Sequence, residues 1–298
     1  SEVLTKAVAS NIAAEIACID IKENVAYGEA LDICHSISSS INRNIKVYSG
    51  GFDAVKDADV IICDAGPSIL PGQYERLKLA QENVKNITQI MTEVVKYNTD
   101  AIFIMITNPL DVTTYLAATK FGWKHGRLFG TGTTLETLRF KYILSRHFNV
   151  NPQDIQGYML GEHGNSAFPA WSTVSIGGIR LNDLHNYFKD VKLDRALIHK
   201  QVVKTAYEVM DAKGWTNTGI ASGAIRLAQA VLFDEKAVVP VSVPLTGEYG
   251  LTDVALSLPS VVGKDGVEKR LALPLPDDEL ELLFKSSECI KEVLKASN

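Results

Sequence analysis

Three unbroken apolar runs punctuate the first half of the chain: "EIACID" at 15–20, "DVIICDAG" at 59–66 and "AIFIMITNP" at 101–109. Each lacks the alternation of a half-solvated strand and ends on a polar or turn-forming residue. Runs of this kind suit parallel strands covered on both faces. Between the second and third lies 73–98, where Leu77, Ala80, Val84, Ile87, Ile90, Met91 and Val94 recur at helical spacing. The opening "SEVLTKAVASNI" also reads as a helix. Strands separated by helices predict βαβ units and a doubly wound parallel sheet of Rossmann type. Ligands of such sheets sit beyond the carboxyl ends of the strands. That rule singles out Asp20, Gly66 and Asn108.

After about residue 130 the rhythm changes. A helix is expected over 134–148, then strands on both sides of "LGEHGNS" at 160–166. Long helices follow at about 194–213 and 217–232, then a strand-rich stretch with turns at "TGEYG" and "GKDG", then a last helix from Asp277. Strands are grouped here rather than alternating with helices, which predicts a C-terminal α+β second domain. A boundary near Gly130 divides the chain into 1–130 and 131–298.

Composition narrows the class. With 46% hydrophobic and 22% charged residues, the 298-residue chain has the make-up of an ordinary soluble globular protein. A net charge of −5 without any Lys/Arg run leaves no footprint for nucleic acid or an anionic membrane. No apolar stretch reaches the roughly 18 residues of a membrane span. Cys18, Cys34, Cys63 and Cys289 have no paired spacing, so neither a zinc site nor an oxidising compartment is expected, and a cytoplasmic protein is the plain reading. Cys18 and Cys63 lie in apolar runs and are expected to be buried.

Asp20, closing its run, stands where an acid hydrogen-bonds the ribose of an adenine dinucleotide and disfavours a 2′-phosphate. A cap for the following turn is the other reading. A G-x-G-x-x-G loop belongs about 20 residues before such an acid, so a strand and its glycine loop are expected to precede residue 1. His163 sits between Gly161 and Gly164 with Glu162 beside it, on backbone permissive enough for close approach. It is either a solvated loop histidine or a proton carrier. Glu136 and Arg139, three apart, share a helix face. They form a surface ion pair or, because Leu135, Leu138 and Tyr142 make an adjoining apolar face, a buried rim where the arginine takes a planar carboxylate. In "AGPSILPGQYERLKL", the apolar Ile69 and Leu70 suit either a surface loop or a mobile lid carrying Arg76.

"TNPLDV", "GTGTTLETLRF", "GEHGNS", "AYEVMDAKGWTNTGIA" and "GEYGLTDVALSLPSVVGKDGV" together resemble the L-lactate/malate dehydrogenase superfamily from Ser1 to Asn298, nearer its lactate and L-2-hydroxyisocaproate branch. The resemblance implies an NAD-binding domain over 1–130 and a catalytic domain over 131–298. It also implies reversible hydride transfer between NADH and a small 2-keto acid, in a homodimer or homotetramer. His163 would be the acid/base, with a pKa near 7, brought close to substrate and cofactor by its flanking glycines. Glu136 stands where the family usually has Asp, and Arg76 would polarise the ketone. Arg139 would grip the substrate carboxylate. Asn108, Thr216, Ile69 and Leu70 would complete the substrate pocket. Asp20, Gly66, Asn108 and Ile220 would contact the cofactor. An apolar lid disfavours malate chemistry. Gln156, where bisphosphate-activated relatives carry His, implies no activation by fructose bisphosphate. A malate dehydrogenase and a non-catalytic relative with impaired cofactor binding are the competing readings.

Overall fold

The computed structural model describes residues 1–39, 43–67 and 76–297, with side chains in the last range from Ala80 onward. Helix α1 (Glu2–Ala9) leads into strand β1 (Glu15–Cys18), helix α2 (Glu23–Ile37) and strand β2 (Lys46–Ser49). β1 and β2 pair in parallel, with Glu15 opposite Lys46. Next come β3 (Val60–Cys63), α3 (Arg76–Val94), β4 (Ile102–Met105), α4 (Leu110–Lys120) and β5 (Leu128–Gly130). β3, β4 and β5 are parallel neighbours.

The expected layering holds best at β4 and β5. Alternate side chains of a strand face opposite ways. Phe103 and Met105 accordingly join Ile87, Met91 and Ala117 under α3 and α4. Ile102, Ile104 and Phe129 join a second core against Leu227 and Val231. β1 departs from the expectation. Glu15 is exposed and Ile16, Ala17 and Cys18 are only half-buried, because β2 is the only strand paired with β1 among the described residues. Cys63 is buried as expected; Cys18 is not.

The rest of the chain is α5 (Thr134–Phe148), β6 (Ile155–Leu160), β7 (Phe168–Ile176), β8 (Ile179–Arg180), α6 (Arg195–Lys213), α7 (Thr218–Leu232), β9 (Ala237–Thr246), β10 (Thr252–Gly263), β11 (Gly266–Arg270) and α8 (Asp277–Ser297). β6, β7 and β8 form an antiparallel sheet. β9, β10 and β11 form an antiparallel meander that continues the parallel sheet, in the order β11-β10-β9-β5-β4-β3. The join is a single pairing of Gly130 with Ser242.

Candidate active site

The loop after β6 is built around its own side chains. Gly161 has φ +89, and a Cβ there would lie 2.6 Å from Ser286 Oγ on α8. Its backbone exchanges hydrogen bonds with Ser257 of β10. A Cβ on Gly164 would lie 2.6 Å from Glu162 Oε1. The Glu162 carboxylate turns back to accept from the hydroxyl of Ser166 and from its amide at 3.2 Å. Both glycines let the loop pack closely, Gly161 against α8 and Gly164 against the loop's own Glu162.

α5 begins with a run of hydroxyl residues, each tied to a neighbouring strand. The Thr133 amide donates to Ser257 Oγ at 2.9 Å, and Thr134 Oγ1 donates to the Pro240 carbonyl at 2.9 Å. Thr137 Oγ1 accepts from the Met159 amide at 3.0 Å. Gly132, with φ +54, lets the preceding turn press on the β9 backbone; a Cβ there would come within 2.5 Å of Ser242 N. These anchors aim the first turns of α5 at the His163 loop.

Glu136 is 8% exposed. Its Oε2 lies 3.1 Å from His163 Nδ1, and its Oε1 lies 3.5 Å from Arg139 Nη1. The Glu136–Arg139 pair thus sits at a buried rim. The neighbouring apolar face is only partly as expected. Leu135 is buried, but Leu138 and Tyr142 are 44% and 55% exposed. Leu135 lies under Gly219 at the start of α7, and among the described residues that cover does not extend to the next two turns.

Burial alone would lower the His163 pKa, but the charge and hydrogen bond of Glu136, helped by Asp111 and opposed by Arg139, lift it to about 9. This corrects the expectation of a value near 7. Glu136 shows the complement: burial pushes its carboxyl up, and His163 with Arg139 outweighs that and holds it below the usual range. Burial lowers the Arg139 pKa against the pull of Glu136. At neutral pH the trio is imidazolium, carboxylate and guanidinium. No described residue hydrogen-bonds His163 Nε2, so that N–H is available as a donor.

Asp111, inside the "TNPLDV" motif, was not singled out by sequence reasoning. It is 1% exposed. Its Oδ2 accepts from the His163 backbone amide at 2.7 Å, and its Oδ1 accepts from Ser242 Oγ at 2.6 Å. Burial pushes its carboxyl up to about 7 against those two hydrogen bonds and the His163 charge. One available signal was an acid inside "LDVTTYLAATK", a helix with no polar stripe: such an acid is buried, and a buried acid needs donors.

At the carboxyl ends of β3 and β4, Asn83 of α3 is a second residue the sequence reading missed. Its Nδ2 donates to the carbonyls of Pro67, at 2.9 Å, and Asn108, at 2.7 Å. Gly66, with φ +128, passes so close that a Cβ would lie 2.3 Å from Asn83 Oδ1. Among the described residues that oxygen is buried without a hydrogen-bond partner. Asn108 is three residues before Asp111, so its turn connects directly to the His163 loop. Asp20 stands apart, exposed beyond β1, where its Oδ1 accepts from the Lys22 amide at 2.8 Å and opens α2. Thr216 and Ile220, both half-buried, occupy the α6–α7 link and the first turn of α7, beside α5. Arg76 begins α3; its side chain, like Ile69 and Leu70, lies outside the described residues. Exposed Asp20, closely packed Gly66 and the Asn83 oxygen, unpartnered among the described residues, all lie at strand carboxyl ends, an arrangement that fits a dinucleotide.

Both halves of the chain match known proteins. Residues 1–130 match the lactate/malate dehydrogenase NAD binding domain, and residues 133–298 match the alpha/beta C-terminal domain of the same family. The chain is 45% identical over 296 residues to the L-lactate dehydrogenase of Selenomonas ruminantium, covering 99% of this chain and 93% of that protein. It is 42% identical over 300 residues to L-lactate dehydrogenase 2 of Clostridium acetobutylicum, covering 100% and 94%. Among solved structures, the minor L-lactate dehydrogenase of Enterococcus mundtii superposes with a TM-score of 0.93 at 34% identity, covering 100% of this chain and 94% of that one. A lactate dehydrogenase from a deep-sea metagenome library superposes with a TM-score of 0.94 at 28% identity, covering 99% and 94%. In both halves of its sequence and in its fold, this chain belongs to the lactate/malate dehydrogenase family.

Proposed function

We propose that the protein is an NAD-dependent L-2-hydroxyacid dehydrogenase of the lactate type. The observation that carries this reading is the placement of Glu136 between the imidazole of His163 and the guanidinium of Arg139. Reduction of a 2-keto acid builds negative charge on the ketone oxygen and ends with a proton there. His163, protonated at neutral pH and oriented by Glu136 through Nδ1, presents Nε2–H as the donor that neutralises that charge. Arg139 engages Glu136 through one nitrogen, and its remaining donors suit the planar carboxylate of the substrate. Arg76 is assigned to polarising the ketone, and Asn108 and Thr216 to the substrate pocket.

Asp20, Gly66, Asn108 and Ile220 are assigned to holding NAD. When bound, NADH supplies the hydride for the carbonyl carbon. The apolar Ile69 and Leu70 favour 2-keto acids with aliphatic or aromatic side chains. A second carboxylate, as in oxaloacetate, would be buried without a partner.

The reading is tested by NADH-dependent reduction of pyruvate, 2-ketoisocaproate, phenylpyruvate and oxaloacetate. Oxaloacetate is expected to have the lowest kcat/KM. Oxaloacetate ranking first would move the protein to the malate branch, and no turnover of any of them would leave a non-catalytic relative.

We further propose a homodimer or homotetramer. The exposed Leu138 and Tyr142 of α5 and the exposed Val25, Tyr27 and Leu31 of α2 support it. Sedimentation equilibrium giving a monomer mass would overturn it. Among the described residues no helix is long and apolar enough to cross a membrane. The four cysteines are free thiols, which suits a cytoplasmic setting.

A further inference from the structure

Two successive amides of the His163 loop are held by side chains from distant elements. Glu162 N donates to Ser286 Oγ of α8 at 2.6 Å, and His163 N donates to Asp111 Oδ2 of α4 at 2.7 Å. The second grip is chemically expensive. An uncharged Asn or Thr would accept from an amide equally well, whereas a carboxylate at 1% exposure carries a large desolvation cost. Its other oxygen is held by Ser242 Oγ at 2.6 Å, so both oxygens have donors, each from a different element. What the carboxylate adds beyond geometry is charge, placed against the main chain of the residue whose imidazole is cationic.

We propose that Asp111 is a positioning residue for the proton transfer: it fixes the main chain of His163 so that the imidazole meets Glu136, and its charge helps keep that imidazole protonated. This rests on the acid/base reading of His163. The charged groups facing the imidazole are Glu136 and Arg139 of α5 and Asp111 of α4. Glu162 is adjacent, with its carboxylate turned to Ser166. α8 and β10 face the loop with the uncharged Ser286 and Ser257, and α6 contributes His199, bonded to the Ala167 carbonyl at 2.8 Å. Asp111 itself is faced by Ser242, His163 and Glu162.

The test is an NMR titration of the His163 imidazole in the full-length protein, alongside kcat and KM for pyruvate. Asp111→Asn keeps an acceptor for the amide and removes the charge. Its His163 midpoint is expected to fall by about half to one pH unit, and the alkaline fall in kcat moves down with it. Asp111→Ala removes both and is expected to lower kcat about tenfold or more with KM changed far less. Should Asp111→Asn not fold, Ser242→Ala carries the test. Loss of that donor raises the Asp111 pKa further, so less of the carboxylate is ionised as His163 titrates, and the midpoint falls in the same direction. An unmoved midpoint in the folded variant overturns the inference. The titration needs no turnover. A wild type inactive on every keto acid therefore refutes the proposed function, while an active wild type with an unmoved midpoint refutes only the role of Asp111.

Discussion

Glu136 Oε2 lies 3.1 Å from His163 Nδ1, and both side chains are largely withdrawn from solvent. A carboxylate at this distance decides which way the imidazole points and which protonation state it holds. Replacing Glu136 by Gln removes the charge that outweighs burial at His163. The expected result is a lower His163 pKa and a fall in kcat on the order of 10²-fold or more, the scale of positioned acid–base catalysis. Glu136→Asp, one methylene shorter, is expected to retain more activity than Glu136→Gln. Equal losses in the two variants would mean that charge at this position does not matter.

The direction of the reaction should separate with pH. With His163 titrating at about 9, the imidazole is loaded with a proton throughout the neutral range. Pyruvate reduction, which consumes that proton, is expected to be level through neutrality and to fall as pH approaches 9. Lactate oxidation needs the neutral imidazole and is expected to rise over the same interval. Initial rates in both directions across pH 6–10 check the two limbs, and parallel profiles would contradict them.

Stability carries a second signature. The folded-state carboxyl of Asp111 is raised to about 7 from its ordinary value of 3.8, so the native state binds more protons than the unfolded chain between those values. Its contribution to stability is therefore greatest at the acid end and declines as pH rises towards 7. His163, also raised, contributes in the same sense from 6.5 to about 9. Urea unfolding of wild type and Asp111→Asn at pH 5 and pH 8 isolates the first effect. Relative to the variant, wild type is expected to be more stable at pH 5 than at pH 8. A pH-independent difference would contradict it.

Regulation by fructose bisphosphate is not expected. Gln156 is exposed on β6 and offers no titratable cation. Adding the bisphosphate to a steady-state assay should leave the pyruvate KM unchanged, and a large fall would show that other residues form the effector site.

Much of the parallel sheet was legible in the sequence because a strand buried on both faces must be apolar at every position, and β4 is. β1 shares the pattern without the burial, since a run records what a strand tolerates rather than how many neighbours it has. The i, i+3 spacing of Glu136 and Arg139 correctly put them on one face. The same periodicity said nothing of what covers that face beyond Gly219, which is why Leu138 and Tyr142 emerged exposed. Asp111 and Asn83 went unnoticed because their partners, Ser242, the His163 amide and the carbonyls of Pro67 and Asn108, are mostly remote in the chain. The pKa of His163 depends on Glu136 and Asp111 converging from two helices, which no local pattern encodes.

The central claim is that the guanidinium beside Glu136 receives the carboxylate of a keto acid. Arg139→Lys keeps the charge and loses the planar fork. The account expects pyruvate kcat/KM to fall about 10²-fold or more while the Kd for NADH, measured by fluorescence, stays at the wild-type value. Unchanged kcat/KM for pyruvate in that variant would contradict it.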